Sequence, residues 1–401
     1  MDAFDLSALL RPLSTERFFA EYWETQPLLL RRGDNTYYDA VLTVTDIEQY
    51  ISRGDGRYPA LRLAKGGKFY APEAYTLDVK YGDEVFRGLS DLERIFTEYS
   101  SGATVTLPAL HLGWAPLGRL CRQLESELDH SVHTNAYLTP ANTGGFTPHY
   151  DTHEVFVLQI AGVKHWRVYP PPVPLPHRNQ PFSPERYVLP SAPLMEFDLA
   201  AGDLLYLPRG YVHTTTTADH FSAHVTIGIT VYTWVEMLSE LIQHSIDLPE
   251  FRRALPPGFA HRPEARRELS QRLPELLDRL RGTLNAEATS ERFATRVRNA
   301  QRRAPVEFRA DASVIGPDTR LRIAEGIQYE LLHDRDGVVL QLEGRRVRLQ
   351  TAVAPVLEAA CRLTSFTARS LPSDISLDAR LTLVRYLDGL GFLRRMPDTG
   401  A

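Results

Sequence analysis

Residues 202–213, GDLLYLPRGYVH, leave the fold few choices. Leu204 to Leu207 is an apolar run of strand length, Pro208 sets the backbone of a tight turn, and Gly210 permits the chain to reverse. The return delivers His213 to the mouth of a small barrel, within reach of a neighbouring strand. The sequence around it has the same grain. From Ala103 onward VTLPAL, TNAYLT, EVFVLQI, KHWRVYP, DLLYLP and AHVTIGITVY follow one another as short β-prone runs, broken by glycine and proline. Many short strands with turn signals predict a barrel or a sandwich.

Upstream stands TPHYD, residues 147–151, opening the run Val155-Phe156-Val157-Leu158. In a strand alternate side chains share a face, so His149 and Asp151 point the same way. A His-x-Asp pair by itself is common. Joined by His213 it supplies two imidazoles and one carboxylate, the set that holds Fe(II) while leaving positions open for oxygen and a cosubstrate. The plain alternative is a buried, hydrogen-bonded His213 and a surface His-Asp pair. Both segments being present in the right order favours the metal.

Residues 135–169, NAYLTPANTGGFTPHYDTHEVFVLQIAGVKHWRVY, resemble the core of the JmjC (cupin-like) oxygenases that use iron and 2-oxoglutarate. More narrowly they are similar to the ribosomal-oxygenase branch, whose members hydroxylate side chains of ribosomal proteins. The likeness includes FFAEYWETQPLLLRR (18–32) and GDLLYLPRGYVH, and extends loosely to the end of the chain. It implies a double-stranded β-helix with Fe(II) held by His149, Asp151 and His213. Two open metal positions would take a chelating 2-oxo acid and one would take oxygen or water.

The far carboxylate of 2-oxoglutarate needs a fixed cation, and Lys164 fits. It follows an expected Ala161-Gly162 turn and alternates with Trp166 and Val168 on the return strand; the alternative is an ordinary exposed lysine beside a hairpin. The resemblance places its carboxylate-binding cation here too. It also implies that Asn135 touches 2-oxoglutarate and that Tyr137 lines the substrate pocket, although in the sequence these are only strand residues two apart. His153 shares the face of Asp151 and reads as a wall or substrate residue, since a fourth ligand would crowd the open positions. Thr217 stands where many cupins have asparagine, which weakens kinship with simple cupins alone. His220 and His224 read as structural or supporting residues.

Three parts are expected: a catalytic domain over 1–232, a helical module over 233–305, and a winged-helix-like domain over 306–401. The first opens with a helix capped by Ser14 that buries Phe18, Phe19, Tyr22 and Trp23. Residues 170–184, PPPVPLPHRNQPFSP, read as a loop crossing between the metal segments. In the second part Leu269, Leu273, Leu276 and Leu280 form a stripe among arginines. Interspersed Glu264, Glu268, Glu275 and Asp278 argue against an RNA-binding patch, and the resemblance suggests a dimerisation module, hence a homodimer. The third part joins a hairpin turning at Gly344 to a helix carrying Leu377, Leu381, Val384 and Leu387. Its outer face would mix Asp378 and Asp388 with Arg380 and Arg385, a poor surface for phosphates.

Composition limits the alternatives. A net charge of −5 argues against general nucleic-acid binding, though an acidic enzyme suits a basic polypeptide substrate. With two cysteines the chain has no disulfide scaffold, and no apolar run is long enough to cross a membrane. A reducing cytoplasm is the expected setting. The reading is therefore an Fe(II)- and 2-oxoglutarate-dependent oxygenase acting on a protein side chain, a His or Arg of a ribosomal protein being favoured. The alternatives are the same chemistry on a biosynthetic peptide, a small molecule or a methylated protein side chain, and a non-catalytic cupin joined to a winged-helix regulator.

Overall fold

The computed structural model describes residues 4–53, 57–283, 285–301, 315–324, 327, 329–334, 337–342, 345–372 and 374–396. The chain divides into two compact units, Met1–Val231 and Tyr232–Ala401.

The first unit is a wrapped antiparallel sheet with helices packed on it. Its helices are α1 (Leu6–Leu10), α2 (Thr15–Glu21), α3 (Val44–Ser52), α4 (Leu92–Ser100) and α5 (Ala115–Leu128). Its strands are β1 (Leu28–Leu30), β2 (Arg62–Lys65), β3 (Lys68–Phe69), β4 (Thr76–Tyr81), β5 (Glu84–Ser90), β6 (Thr104–Pro108), β7 (Ser131–Thr139), β8 (Glu154–Tyr169), β9 (Met195–Ala200), β10 (Leu204–Leu207), β11 (Val212–Thr216) and β12 (Ser222–Thr230). The main sheet runs β1-β10-β8-β12-β7-β6-β2-β3, with β9 and β11 pairing on the far half of β8.

Strand β8 is the spine. Its first half pairs with β10 and β12, its second half with β9 and β11, so one strand serves both sheets of the barrel. The expected Ala161-Gly162 turn is therefore not a turn. The chain bends there and continues, with a register shift opposite Ala223 and His224. Gly162 makes the bend possible: its φ is +64°, and a Cβ on it would lie 1.9 Å from the Phe221 carbonyl oxygen. The alternation beyond the bend holds, since Lys164, Trp166 and Val168 are buried.

The core follows from the sequence pattern. Phe18, Phe156, Leu158, Leu204, Tyr206, Val225, Ile227 and Ile229 are buried together beneath the helices. Ser14 caps α2 by accepting a hydrogen bond from the Arg17 amide. Of the aromatics expected inside from this segment, Phe18 is fully buried, Tyr22 and Trp23 are half-buried, and Phe19 is exposed. With Glu21 ending the helix, its short body turns only Phe18 inward.

The second unit begins with α6 (Trp234–His244), α7 (Pro263–Thr283) and α8 (Ala286–Ala300). It continues with β13 (Leu321–Ile323), the antiparallel β14 (Tyr329–Asp334), β15 (Gly337–Leu342) and β16 (Arg345–Gln350), then α9 (Ala354–Arg362), α10 (Leu377–Gly389) and β17 (Leu393–Arg395). A separate core built on Leu321, Val338, Leu340, Leu357, Val384, Leu387 and Phe392 holds this latter group together. Gly344 and the expected 305/306 boundary lie outside the described residues. The expected outer face of α10 needs correction: Arg380 and Asp388 are buried, and Arg380 donates to the carbonyls of Leu371 and Arg369 at 2.6 and 3.2 Å. A guanidinium carries enough donors to hold loop carbonyls inside.

Candidate metal centre

His149 and Asp151 do not sit in a regular strand, contrary to the pleat argument. Regular pairing begins at Glu154, and His149 joins the sheet through one isolated bridge to His213. The segment before β8 instead lies against β11. Gly145 N donates to Thr215 O at 2.8 Å, and His213 N donates to His149 O at 2.9 Å. Gly145 is needed for this approach, because a Cβ there would stand 2.3 Å from Thr215 Oγ1. Thr217 closes the edge: its hydroxyl donates to Pro140 O at 2.7 Å and accepts from Thr143 N at 3.0 Å. The Pro208–Gly210 turn adds Gly210 N to Asp151 O at 3.0 Å.

These backbone contacts bring three donors together. One ligand atom each from His149, Asp151 and His213 lie within 4.8 Å of one another. The imidazoles are oriented for the purpose, with Nδ1 of His149 2.8 Å from Thr147 O and Nδ1 of His213 3.2 Å from Tyr211 O. A carbonyl at Nδ1 fixes the tautomer whose Nε2 lone pair is free for a metal. Burial, then His149, pushes the His213 pKa down to about 4, so its ring is neutral at ordinary pH. Burial alone would raise the Asp151 carboxyl, but His153, His213, His149 and His133 around it hold it below its usual value. The donor set, one carboxylate and two imidazoles, suits Fe(II) with an open face.

The same cavity is lined by Asn135, Tyr137, His153, Lys164, Trp166 and His224. Rings link its parts: His149 to His213 at 4.6 Å, His213 to Trp166 at 5.7 Å, Trp166 to His224 at 6.1 Å, and His224 stacked on Tyr137 at 4.8 Å. Lys164 is 3% exposed and donates to Thr139 Oγ1 at 2.8 Å. Desolvation pushes its pKa down to about 7. A buried ammonium with three donors and a single hydroxyl partner among the described residues is a cation arranged for an anion. Trp166 Nε1 and His224 Nδ1, on the same wall, are buried with no hydrogen-bond partner among the described residues. Burial, then the Lys164 charge, drives the His224 pKa well down. Asn135 Oδ1 accepts from Ala109 N at 3.1 Å, and burial followed by Asp151 raises the Tyr137 hydroxyl to about 12. His153 stands beside the three donors, its Nε2 3.8 Å from Asp151 Oδ1. His220 is on the surface.

Sequence reasoning missed the group that braces this centre. Glu154, fully buried, accepts from Arg209 Nη1 at 2.6 Å and from the Tyr206 hydroxyl. Arg209 also pairs with Glu24, whose amide donates to the Tyr206 oxygen at 3.0 Å. The network ties the start of β8 to the turn that delivers His213. A glutamate directly before an apolar strand, facing an arginine inside the Pro-x-Gly turn, was the available signal.

With this geometry in view, the class of protein is clear. Residues 111–237 match the family model described as JmjC domain, and the chain carries that domain there. Among curated relatives, mouse ribosomal oxygenase 2 is 30% identical over 303 residues, 69% of this chain and 60% of that protein. The bifunctional lysine-specific demethylase and histidyl-hydroxylase NO66 of Drosophila grimshawi is 31% identical over 270 residues, 64% of this chain and 35% of that protein. The chain thus spans 60% or less of the length of these relatives. Among solved structures, Escherichia coli ribosomal oxygenase YcfD shares the fold over 96% of this chain and 98% of its own, with a TM-score of 0.51 at 17% identity. Another YcfD structure, with a TM-score of 0.50 at 16% identity over the same shares, is a complex with cobalt and 2-oxoglutarate.

Proposed function

We propose that the chain is an Fe(II)- and 2-oxoglutarate-dependent oxygenase that hydroxylates a carbon of a protein side chain. The observation that carries this reading is one cavity holding both the three-donor cluster and the buried Lys164. His149, Asp151 and His213 hold the iron. Lys164, with Thr139 beside it, takes the far carboxylate of 2-oxoglutarate, and Asn135 touches the cosubstrate. Together with dioxygen and 2-oxoglutarate, bound iron supplies an oxidant able to attack an unactivated C–H bond. The protein fixes the ligands in their tautomers, excludes water and aims one substrate bond at the open metal face. Tyr137 and His153 line the space left for that substrate.

The names of the relatives support a ribosomal protein as substrate and, in one of them, a histidyl target; an Arg side chain is the other target we keep. Demethylation of a lysine is the second reading, favoured by the bifunctional name of one relative. The helical part of the second unit serves as a homodimerisation module, and the following part is a winged-helix-like domain that orients substrate. Trp234, Leu238 and Ile242 of α6 are 80%, 55% and 57% exposed at helical spacing, which is unusual for a face left in water. No helix among the described residues is long and apolar enough to cross a membrane, and Cys121 and Cys361 form no disulfide with each other; the cytoplasm is the compartment we assign. The deciding test is mass spectrometry of ribosomal proteins from a strain lacking the gene, treated with the full chain, Fe(II) and 2-oxoglutarate. One added oxygen on a His or Arg, absent with Asp151→Ala, is expected. Succinate formed with no protein oxygenated would keep the oxygenase and remove the ribosomal target.

A further inference from the structure

The floor of the cavity is a ladder of three strands, and its register exposes one more row. On β7 and β12, Tyr137 lies opposite His224, Asn135 opposite Thr226, and His133 opposite Gly228. On β8, Val157 continues the Thr226 row and Val155 the Gly228 row. Alternation puts His133 on the same face of β7 as Asn135 and Tyr137, while Val132, Thr134 and Ala136 are buried on the other face. His224, Thr226, Val157 and Val155 all line the cavity.

At the last row β12 carries no side chain, and the reason is space. The φ of Gly228 is not in the left-handed region, so its backbone does not call for glycine. A Cβ there would stand 2.5 Å from both Cε1 and Nε2 of His133 and 3.0 Å from Cε1 of His153. Two imidazoles from separate segments close over this notch, edge to face, with centroids 4.8 Å apart and planes at 89°. That contact, with the carbonyl of Glu154 3.2 Å from Nδ1 of His153, sets the ring of His153. Its Nε2 is the ring nitrogen left toward Asp151 and the cavity. Across the mouth stands Phe146, 6.1 Å from the Tyr137 ring and 6.2 Å from the His149 ring. One wall presents a ring nitrogen and the other an aromatic edge.

We propose that His133, seated by the notch at Gly228, is a positioning residue for substrate selection. It holds His153 so that Nε2 hydrogen-bonds the arriving side chain, selecting polar groups over aliphatic ones. This rests on the oxygenase reading only in calling the arriving group a substrate.

Binding tests it directly. The full chain loaded with Mn(II) is incubated with an equimolar library of short peptides differing only in the central residue, and retained peptides are quantified by mass spectrometry. The wild type should enrich central His, Arg, Asn and Gln over Leu and Met. His133→Phe keeps a ring edge against His153 and should keep the enrichment. His133→Leu and Gly228→Ala should each lose roughly three- to tenfold of it, the worth of one aromatic contact, with Mn(II) affinity unchanged. Undiminished enrichment in His133→Leu overturns the proposal. So does an equal loss in His133→Phe and His133→Leu, which would make the residue mere filler, and so does a wild type without preference. Failure of the oxygenase reading shows separately, as absence of succinate when Fe(II) and 2-oxoglutarate replace Mn(II).

Discussion

The two working parts of the cavity are built by opposite means. The ligand cluster rests on irregular backbone, where His149 and Asp151 are only half-buried and are held by main-chain hydrogen bonds to β11 and to the turn at Gly210. Lys164 projects from the middle of a sixteen-residue strand and is fully enclosed. His149 and Asp151 therefore contribute little to the core, and their side chains are free to be chosen for coordination. The lysine is different: its amine is held in a desolvated place whatever the ligand state, so the fold itself carries the cost of charging it. One part can lose its chemistry and keep its fold. The other should gain stability when its chemistry is removed.

Replacing a ligand tests the first half of that contrast and has the largest expected effect. Asp151→Ala should lower 2-oxoglutarate turnover by at least about a thousandfold. Its thermal midpoint in metal-free buffer should stay close to the parent, as differential scanning calorimetry would show; a large fall would mean that the cluster is structural after all. Next in size is the brace behind the cluster. Glu154→Ala leaves Arg209 buried beside Glu24 alone and the Tyr206 hydroxyl without its acceptor. Breaking a buried pair in this way costs about 3–5 kcal/mol, which urea denaturation would measure. An unchanged midpoint would show that the brace is not what holds the turn.

How much of this was legible beforehand follows the same division. The strand-and-turn signal of residues 202–213 is local, and β10, the turn and His213 stand where that signal put them. The alternation through Lys164, Trp166 and Val168 was legible too, because a period of two survives a change of sheet. What stands between the sheets was not. In the sequence Gly162 reads as closing a hairpin, since glycine signals a bend without saying whether the strand resumes. His149 and Asp151 were given a regular strand, but their shared direction comes from long-range contacts to β11 that no window of sequence contains. Arg380 was placed outside for its charge, whereas two carbonyls from the preceding loop hold it inside. No window of sequence singles out His133 and Gly228, because their meaning lies in a register between distant strands.

Lys164→Ala separates the two halves by function. It should raise the 2-oxoglutarate concentration needed for half-maximal turnover by about ten- to a hundredfold, the worth of a charge-assisted hydrogen bond, while Mn(II) affinity by titration calorimetry stays near the parent value. Equal loss of both would merge the two parts into one site.

The smallest effect is also the most specific. In the ligand-free chain burial lowers the Lys164 pKa from 10.5 to about 7. A depressed pKa gives stability that is complete above the unfolded value and is lost as pH falls through the folded one. At pH 6 the parent therefore carries a buried charge, and Lys164→Met should be the more stable protein by a few kcal/mol, the difference closing towards pH 10. A carboxylate beside the ammonium reverses this by favouring the charged form. At pH 8 most chains hold Lys164 neutral, so binding 2-oxoglutarate should take up close to one proton, falling towards zero at about pH 6. Calorimetry in buffers of different ionisation enthalpy reads that number. Uptake that persists in Lys164→Met would assign the proton to another group, with His224 the nearest to examine; no uptake in the parent would mean that the cosubstrate carboxylate never reaches the lysine.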